Sequence, residues 1–327
     1  MKIFISNNAA ELTATLSTFA STATVEAEYG SEVVEGSVLT LAHHGARASR
    51  PCPCSLDNLP DLGIEVIGIS HLDLDTLGGI MAIMGIKPVT SWESTQGFFQ
   101  DGFWELASQI DIEGIHKVDP KGPLWSMKID PTGESEVTVG DLLNAWYAFS
   151  EDNRIVPPRD GSVAELDLSQ FFSAIEAIFD GEENIIHQGS RWFSAKKALE
   201  KDSFIEESEG VVLRESGQFV NHLYGWEEPC GACYSTLPEG CRHCFGMKHS
   251  GVAKAVVAFN TQYKSVTVSL ADPIEGVNCC EIVQQLWGPE AGGHAGIAGS
   301  PRGREMTEED SEAAFKAVKA AIKAAGK

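Results

Sequence analysis

Apolar residues recur in short bursts separated by polar, glycine-containing turns. Ile3 to Ile5 and Ser37 to Ala42 read as strands, with Ala10 to Phe19 helical between them, so the chain is expected to open as a βαβ unit. The run Ile64 to Ile69 reads as a buried parallel strand, and Gly78-Gly79 with Ile80 to Met84 reads as a tight turn into a helix. Helical periodicity returns over Phe98 to Ile110, with Trp104 and Leu106 toward a core. Residues 166 to 201 are mostly helical in pattern, with a break at Asp180-Gly181, and are expected to connect two domains. Val211 to Arg214 begins a second set of strands, continued by Ala255 to Phe259 and Ser265 to Leu270. Thr307 to Ala325 reads as a terminal helix, acidic at its start and lysine-rich later. The expected fold class is α/β. An N-terminal domain with a mostly parallel sheet and flanking helices spans 1–165, a helical connector 166–204, and a smaller C-terminal α/β domain 205–327.

Composition narrows the setting. The chain has 327 residues, 43% of them hydrophobic, enough for two cores. No stretch reaches the roughly 18 uninterrupted apolar residues of a membrane helix, and Met1 to Asn8 lacks the apolar core of a signal peptide. A cytoplasmic protein with no membrane partner is expected. The formal charge of −23 is spread along the chain, a field that repels polyanions and argues against duplex nucleic acid as a partner. A small anionic substrate held by metal ions and a few arginines stays open. The apolar N-terminal strands make a homodimer conceivable.

Candidate chemistry concentrates in Ser70-His71-Leu72-Asp73-Leu74-Asp75-Thr76, directly after the run ending at Ile69. An imidazole and two carboxylates at a strand's carboxyl end suit a divalent metal such as manganese, magnesium, iron or zinc, at the edge where open α/β sheets bind ligands. The plainer reading is a loop in which Asp75 or Thr76 caps the helix. His43 and His44 follow another strand, and Asp111 and His116 follow a helix, so three loops could complete one ring of ligands.

The eight cysteines divide into Cys52 and Cys54, then Cys230, Cys233, Cys241 and Cys244, then Cys279 and Cys280. In a cytosolic chain they favour metal ligation or buried thiols over disulfides. The central four could wrap one structural zinc, with His243 or His249 as substitutes, or form a redox-labile or unliganded loop. Near the C-terminus, Gly292, Gly293, Gly296 and Gly299 would let backbone amides approach an anion, with His294 and Arg302 adding donors; a plain loop is the alternative.

Asp73-Leu-Asp75-Thr-Leu-Gly-Gly79 resembles the first motif of the DHH phosphoesterase superfamily. Gly292-Gly-His-Ala-Gly-Ile-Ala-Gly299 resembles the glycine-histidine signature of its DHH-associated C-terminal domain, and the segment from Val266 to Ile282 fits that domain's order of elements. The resemblance implies a metal-binding N-terminal domain with one or two ions, commonly manganese, and a substrate-binding C-terminal domain across a cleft. It implies hydrolysis of phosphodiester or phosphoanhydride bonds in small phosphorylated compounds, nucleotides or short oligonucleotides. Asp73 and Asp75 match the first-motif ligands, and His294 with its glycines matches the substrate signature. The name-giving Asp-His-His triplet does not follow the first motif; the His-His pair at 43 and 44 precedes it, so His43, His44, Asp111 and His116 rest on chemistry alone.

The expected mechanism is metal-assisted hydrolysis. His43, His71, Asp73, Asp75, Asp111 and His116 would hold metal, and Asp75, His44 and His116 would act in catalysis. Arg47, Arg50 and Arg302, with the amides around His294, would neutralise charge on the phosphate. The rivals are a non-catalytic metal or nucleotide sensor and a cysteine-centred redox protein built on residues 230 to 244.

Overall fold

The computed structural model describes all residues except 31, 45–46, 48–49, 89–90, 94–98, 114–117, 119–121, 131–134, 229–248 and 327. In chain order, the first part comprises β1 (Lys2–Ile5), α1 (Ala9–Leu16), β2 (Thr22–Val25), β3 (Glu28–Tyr29), β4 (Glu32–Val33), β5 (Leu39–Leu41), a 3-10 turn (Pro53–Ser55), β6 (Val66–Ile69) and α2 (Leu74–Met84). It continues with β7 (Ser91–Glu93), β8 (Phe99–Asp101), α3 (Gly102–Glu113), α4 (Val139–Asp152), β9 (Ala164–Leu166), α5 (Ser169–Phe179) and α6 (Glu183–Asp202). The rest is β10 (Phe204–Ser208), β11 (Val211–Ser216), β12 (Gly225–Glu228), β13 (His249–Val252), β14 (Ala255–Asn260), β15 (Ser265–Leu270), α7 (Cys279–Trp287), β16 (Gly292–Gly293), β17 (Ile297–Gly299) and α8 (Glu308–Ala324).

Two main sheets organise these elements. The first has the order β5-β2-β6-β1-β9 and is parallel except for β9. Its centre is β6, whose four residues Val66–Ile69 are all buried, as an apolar run flanked by β1 and β2 should be. Side chains from both of its neighbours, from α2 and from α3 to α5 meet in one core that includes Ile5, Val25, Ile67, Leu77, Met81, Trp104, Trp146 and Ile175. The second sheet has the order β10-β11-β14-β15-β17-β16, with only β11 and β14 parallel. Helices α7 and α8 close one face through Val283, Phe315 and Val318. Leu199 of α6 reaches the other face beside Val256. No helix among the described residues is long and apolar enough to cross a membrane.

Several boundaries differ from expectation, each for a packing reason. The opening is not a simple βαβ: β2 follows α1, and β6 lies between β1 and β2. Thr22 and Thr24 disguise β2 as polar, yet both are buried and their hydroxyls bond Ser37, the Val34 carbonyl and Thr40. Gly78 and Gly79 are not a turn but lie inside α2, because the helix sits so close to the 3-10 turn that side chains there have no room. A Cβ on Gly78 would stand 2.6 Å from Cys54 Cβ, and one on Gly79 would stand 2.7 Å from Pro53 Cβ. The second set of strands starts at β10, before Val211. Helix α6 lies along α4, where a Cβ on Gly189 would come within 2.4 Å of Ala145 N, and it also meets the second sheet through Leu199.

Candidate metal centre

Three strands of the parallel sheet end side by side, and each delivers acidic or imidazole groups at its carboxyl end. After β6, Asp73 caps α2, its Oδ1 accepting from Thr76 N at 2.9 Å, while its Oδ2 lies 3.0 Å from His71 Nε2. His71 holds the Asp73 carboxyl well below its usual range against the opposing effect of burial. Burial, and then the Arg302 guanidinium, lower His71. Two residues on, Asp75 points to the other side of the same turn. Its Oδ1 accepts from Cys54 N at 2.7 Å and from the Cys52 thiol at 2.8 Å.

Around Asp75 a buried cluster closes. His43, just beyond β5, brings Nε2 to 3.3 Å from Asp75 Oδ2 and 3.2 Å from Asp111 Oδ2 of α3. Cys52 Sγ lies 3.8 Å from Asp111 Oδ2 and 4.0 Å from His43 Nε2. One donor atom from each of His43, Cys52, Asp75 and Asp111 lies within 4.8 Å of every other, and only Asp111 is more than slightly exposed. Burial opposes a charge on His43, but bonds to Asp111, then Asp75, raise it above its ordinary value.

Beside this cluster, Glu26 follows β2 with φ 48, a left-handed conformation that costs a non-glycine residue about 1 kcal/mol or more and is found where function holds it. Its side chain is 1% exposed, with Oε2 2.7 Å from His44 Nε2 and Oε1 3.8 Å from His43 Nε2. Burial pushes the Glu26 carboxyl up to about 7. Burial acts against a charge on His44, and the bond to Glu26 overcomes it, so His44 is raised. The second sheet approaches here. The His294 ring lies 4.3 Å from that of His44 and 5.9 Å from that of His43. Burial, then the neighbouring His44, push His294 down to about 4. Arg302, in the loop after β17, donates from Nη1 to Ser70 Oγ at 3.1 Å and to the Ser70 carbonyl at 3.3 Å.

The structure thus gathers His43, His44, Asp75, Asp111 and His294 from the sequence-predicted set. His71 and Asp73 are not in the cluster; they pair with each other, and the helix cap is Asp73 rather than Asp75 or Thr76. Arg47 is paired with Glu35, and Arg50 is exposed. Arg302 is committed to Ser70. Gly292, Gly293 and Gly299 lie in β16 and β17, paired Gly292 to Gly299 and Gly293 to Ala298, and His294 N donates to Ile297 O at 2.7 Å. His116, Cys230, Cys233, Cys241 and Cys244 lie outside the described residues. Sequence reasoning missed Glu26 and Cys52. Glu26 occupies the same strand-end position that drew attention to His71, and Pro51-Cys52-Pro53-Cys54 carries a close thiol pair held by prolines.

Nitrogen, sulfur and carboxylate donors converging in a buried pocket fit a divalent cation. Asp75 Oδ2 is buried and faces only the His43 ring, 3.3 Å away. A cation would satisfy it. Comparison with family models, with curated proteins and with solved structures returned no match.

Proposed function

We propose that the chain is a metal-dependent phosphoesterase acting on a phosphodiester or phosphoanhydride bond of a small phosphorylated substrate of the nucleotide or short-oligonucleotide type. The convergence of His43, Cys52, Asp75 and Asp111 in one buried cluster facing His294 carries this reading. The resemblance of residues 73–79 and 292–299 to DHH phosphoesterases supports it. A divalent ion held by the four residues would act by accepting a fifth ligand, where it would lower the pKa of a bound water toward neutrality or polarise a phosphoryl oxygen.

The chain's own groups supply the rest. The Cys54 amide fixes Asp75 Oδ1, so that carboxylate does not rotate during a reaction. Glu26 holds His44 through Nε2, and His44 Nδ1 has no hydrogen-bond partner. With the ring favoured in its protonated form, Nδ1 is the atom that would give a proton to the leaving oxygen. His294, kept neutral by its surroundings, offers a hydrogen bond to a phosphoryl oxygen without repelling His44. The charge of −23 keeps long polyanions away and limits the substrate to small ones. The proposal keeps the protein in the cytoplasm, where the Cys52 and Cys54 thiols stay reduced.

The test is release of p-nitrophenol from bis(p-nitrophenyl) phosphate by the full chain with each of several divalent ions, beside Asp75→Ala. The expected loss in the variant exceeds about 100-fold, more than the loss of an outer-sphere partner alone. Equal rates would sink the enzyme reading. One observation favours a metal or nucleotide sensor instead: His71 and Asp73, part of the motif on which the resemblance rests, bond each other rather than joining the cluster. Tight metal binding with no turnover on any phosphoester would select that reading.

A further inference from the structure

We infer that Cys52 is a ligand of the buried centre, and that the centre therefore selects a thiolate-tolerant ion of the zinc class over the manganese that the family resemblance implies. The inference deepens the metal-binding half of the proposed function and needs no turnover for its test.

The position of the sulfur is built, not incidental. Cys52 is 1% exposed and sits between Pro51 and Pro53, whose rings restrict the backbone. Its carbonyl accepts from Ser55 N at 2.9 Å and Ser55 Oγ at 2.7 Å. Gly78 and Gly79 of α2 press on Cys54 and Pro53 without space for a methyl group, so the turn has no freedom to carry the thiol away. Cys54 Sγ lies 3.7 Å from Cys52 Sγ and 3.9 Å from the Trp104 carbonyl, and its contribution to the cluster is its amide.

The spacing suits four-coordination. Zinc bond lengths arranged tetrahedrally require edges of about 3.3 Å between nitrogen and oxygen donors and about 3.6 Å to sulfur. The nitrogen-to-oxygen edges here are 3.2 and 3.3 Å. Sulfur lies 3.8 Å from Asp111 Oδ2 and 4.0 Å from His43 Nε2, and its shortest contact, 2.8 Å, is to Asp75 Oδ1, the carboxylate oxygen that does not face His43. The shortest is a thiol hydrogen bond, which is exchanged for a metal bond when the proton leaves to buffer. Asp75, 3% exposed, has its Oδ2 facing only the His43 ring at 3.3 Å, which leaves that oxygen room for a cation as a partner. Magnesium and manganese prefer six oxygen donors, which a packed set of sulfur, nitrogen and two carboxylates does not offer; zinc, ferrous iron and cobalt accept such a set.

The experiment uses the full chain stripped with a chelator and titrated with Co2+, which reports a coordinated thiolate through sulfur-to-cobalt charge transfer in the near ultraviolet. Cysteines 230 to 244 contribute equally to both proteins, so the difference between wild type and Cys52→Ser isolates Cys52. The expected result is near-ultraviolet intensity that falls in Cys52→Ser and is kept in Cys54→Ser, the Cys52-dependent part being displaced by zinc but not by a ~100-fold excess of manganese. Cys52→Asp is expected to narrow the zinc-to-manganese affinity ratio by roughly tenfold or more. Far-ultraviolet circular dichroism checks that each variant is folded; should Cys52→Ser not fold, the Cys52→Asp comparison decides. Cobalt binding with no Cys52-dependent band, or manganese displacing zinc at equal concentration, would overturn the inference. Failure of phosphoester hydrolysis leaves these spectra unchanged, so the two readings fail separately.

Discussion

The two sheets each bury charge, and they treat it in opposite ways. In the second sheet, Arg214 of β11 is fully buried, and its guanidinium donates to the carbonyls of Leu223, Glu200 and Gly225 and to Ser203 Oγ. The cation meets main-chain oxygens at the end of α6, a neutral and rigid partnership that ties a helix end to a strand. Burial still pushes Arg214 down to about 10. At the edge of the first sheet, Glu26, His43, Asp75 and Asp111 face one another, Glu26 Oε1 has no hydrogen bond, and Asp75 Oδ2 faces only the His43 ring, 3.3 Å away. A saturated buried charge holds a fold together; a cluster with spare buried oxygens holds out for something else.

The comparison can be broken most sharply at Arg214. Arg214→Met would strand three carbonyls and is expected to destabilise the protein by about 3–5 kcal/mol, read as a fall in the denaturant midpoint. No loss would place Arg214 outside the structural role assigned to it.

A smaller effect is expected from pH. Glu26 binds its proton more tightly folded than unfolded, with its value raised from 4.5 to about 7, so its contribution to stability is present at low pH and lost as pH rises through that interval. His43 and His44 are also raised, and their contribution falls above their ordinary value of 6.5 in the same direction. The metal-free protein should therefore lose stability toward alkaline pH, by at most about 1.4 kcal/mol per pH unit for each titrating group. Added zinc should reverse the trend, because protons and metal compete for the same atoms. Thermal melts of stripped protein that rise over this range would contradict the assignment.

The smallest effect discriminates most finely. Glu26→Gln removes a buried carboxylate at a left-handed backbone position and is expected to raise metal-free stability by about 1 kcal/mol. A marked loss would make Glu26 a structural anchor like Arg214.

Much of this contrast was readable in the chain. Val66–Ile69 is an uninterrupted apolar run, so β6 and the carboxylates at its end announce themselves, and Asp75 follows. β2 does not, because Thr22 and Thr24 are polar in sequence and satisfied only by tertiary partners; Glu26 was lost with it. Cys52 lies in a proline-bound turn with no periodicity, and its nearness to Asp75, 23 residues away, is a product of packing under α2. The glycines at 292, 293 and 299 look like a loop in sequence but pair as the short strands β16 and β17, with Gly299 also paired to β15.

Ser70 joins two stories told separately above. Its hydroxyl bonds both the Glu26 carbonyl and Arg302 of the second sheet. The strand end that carries Glu26 and the loop after β17 are thus fastened at one hydroxyl, so a substitution of Ser70 would loosen the edge of the first sheet and its contact with the second sheet together.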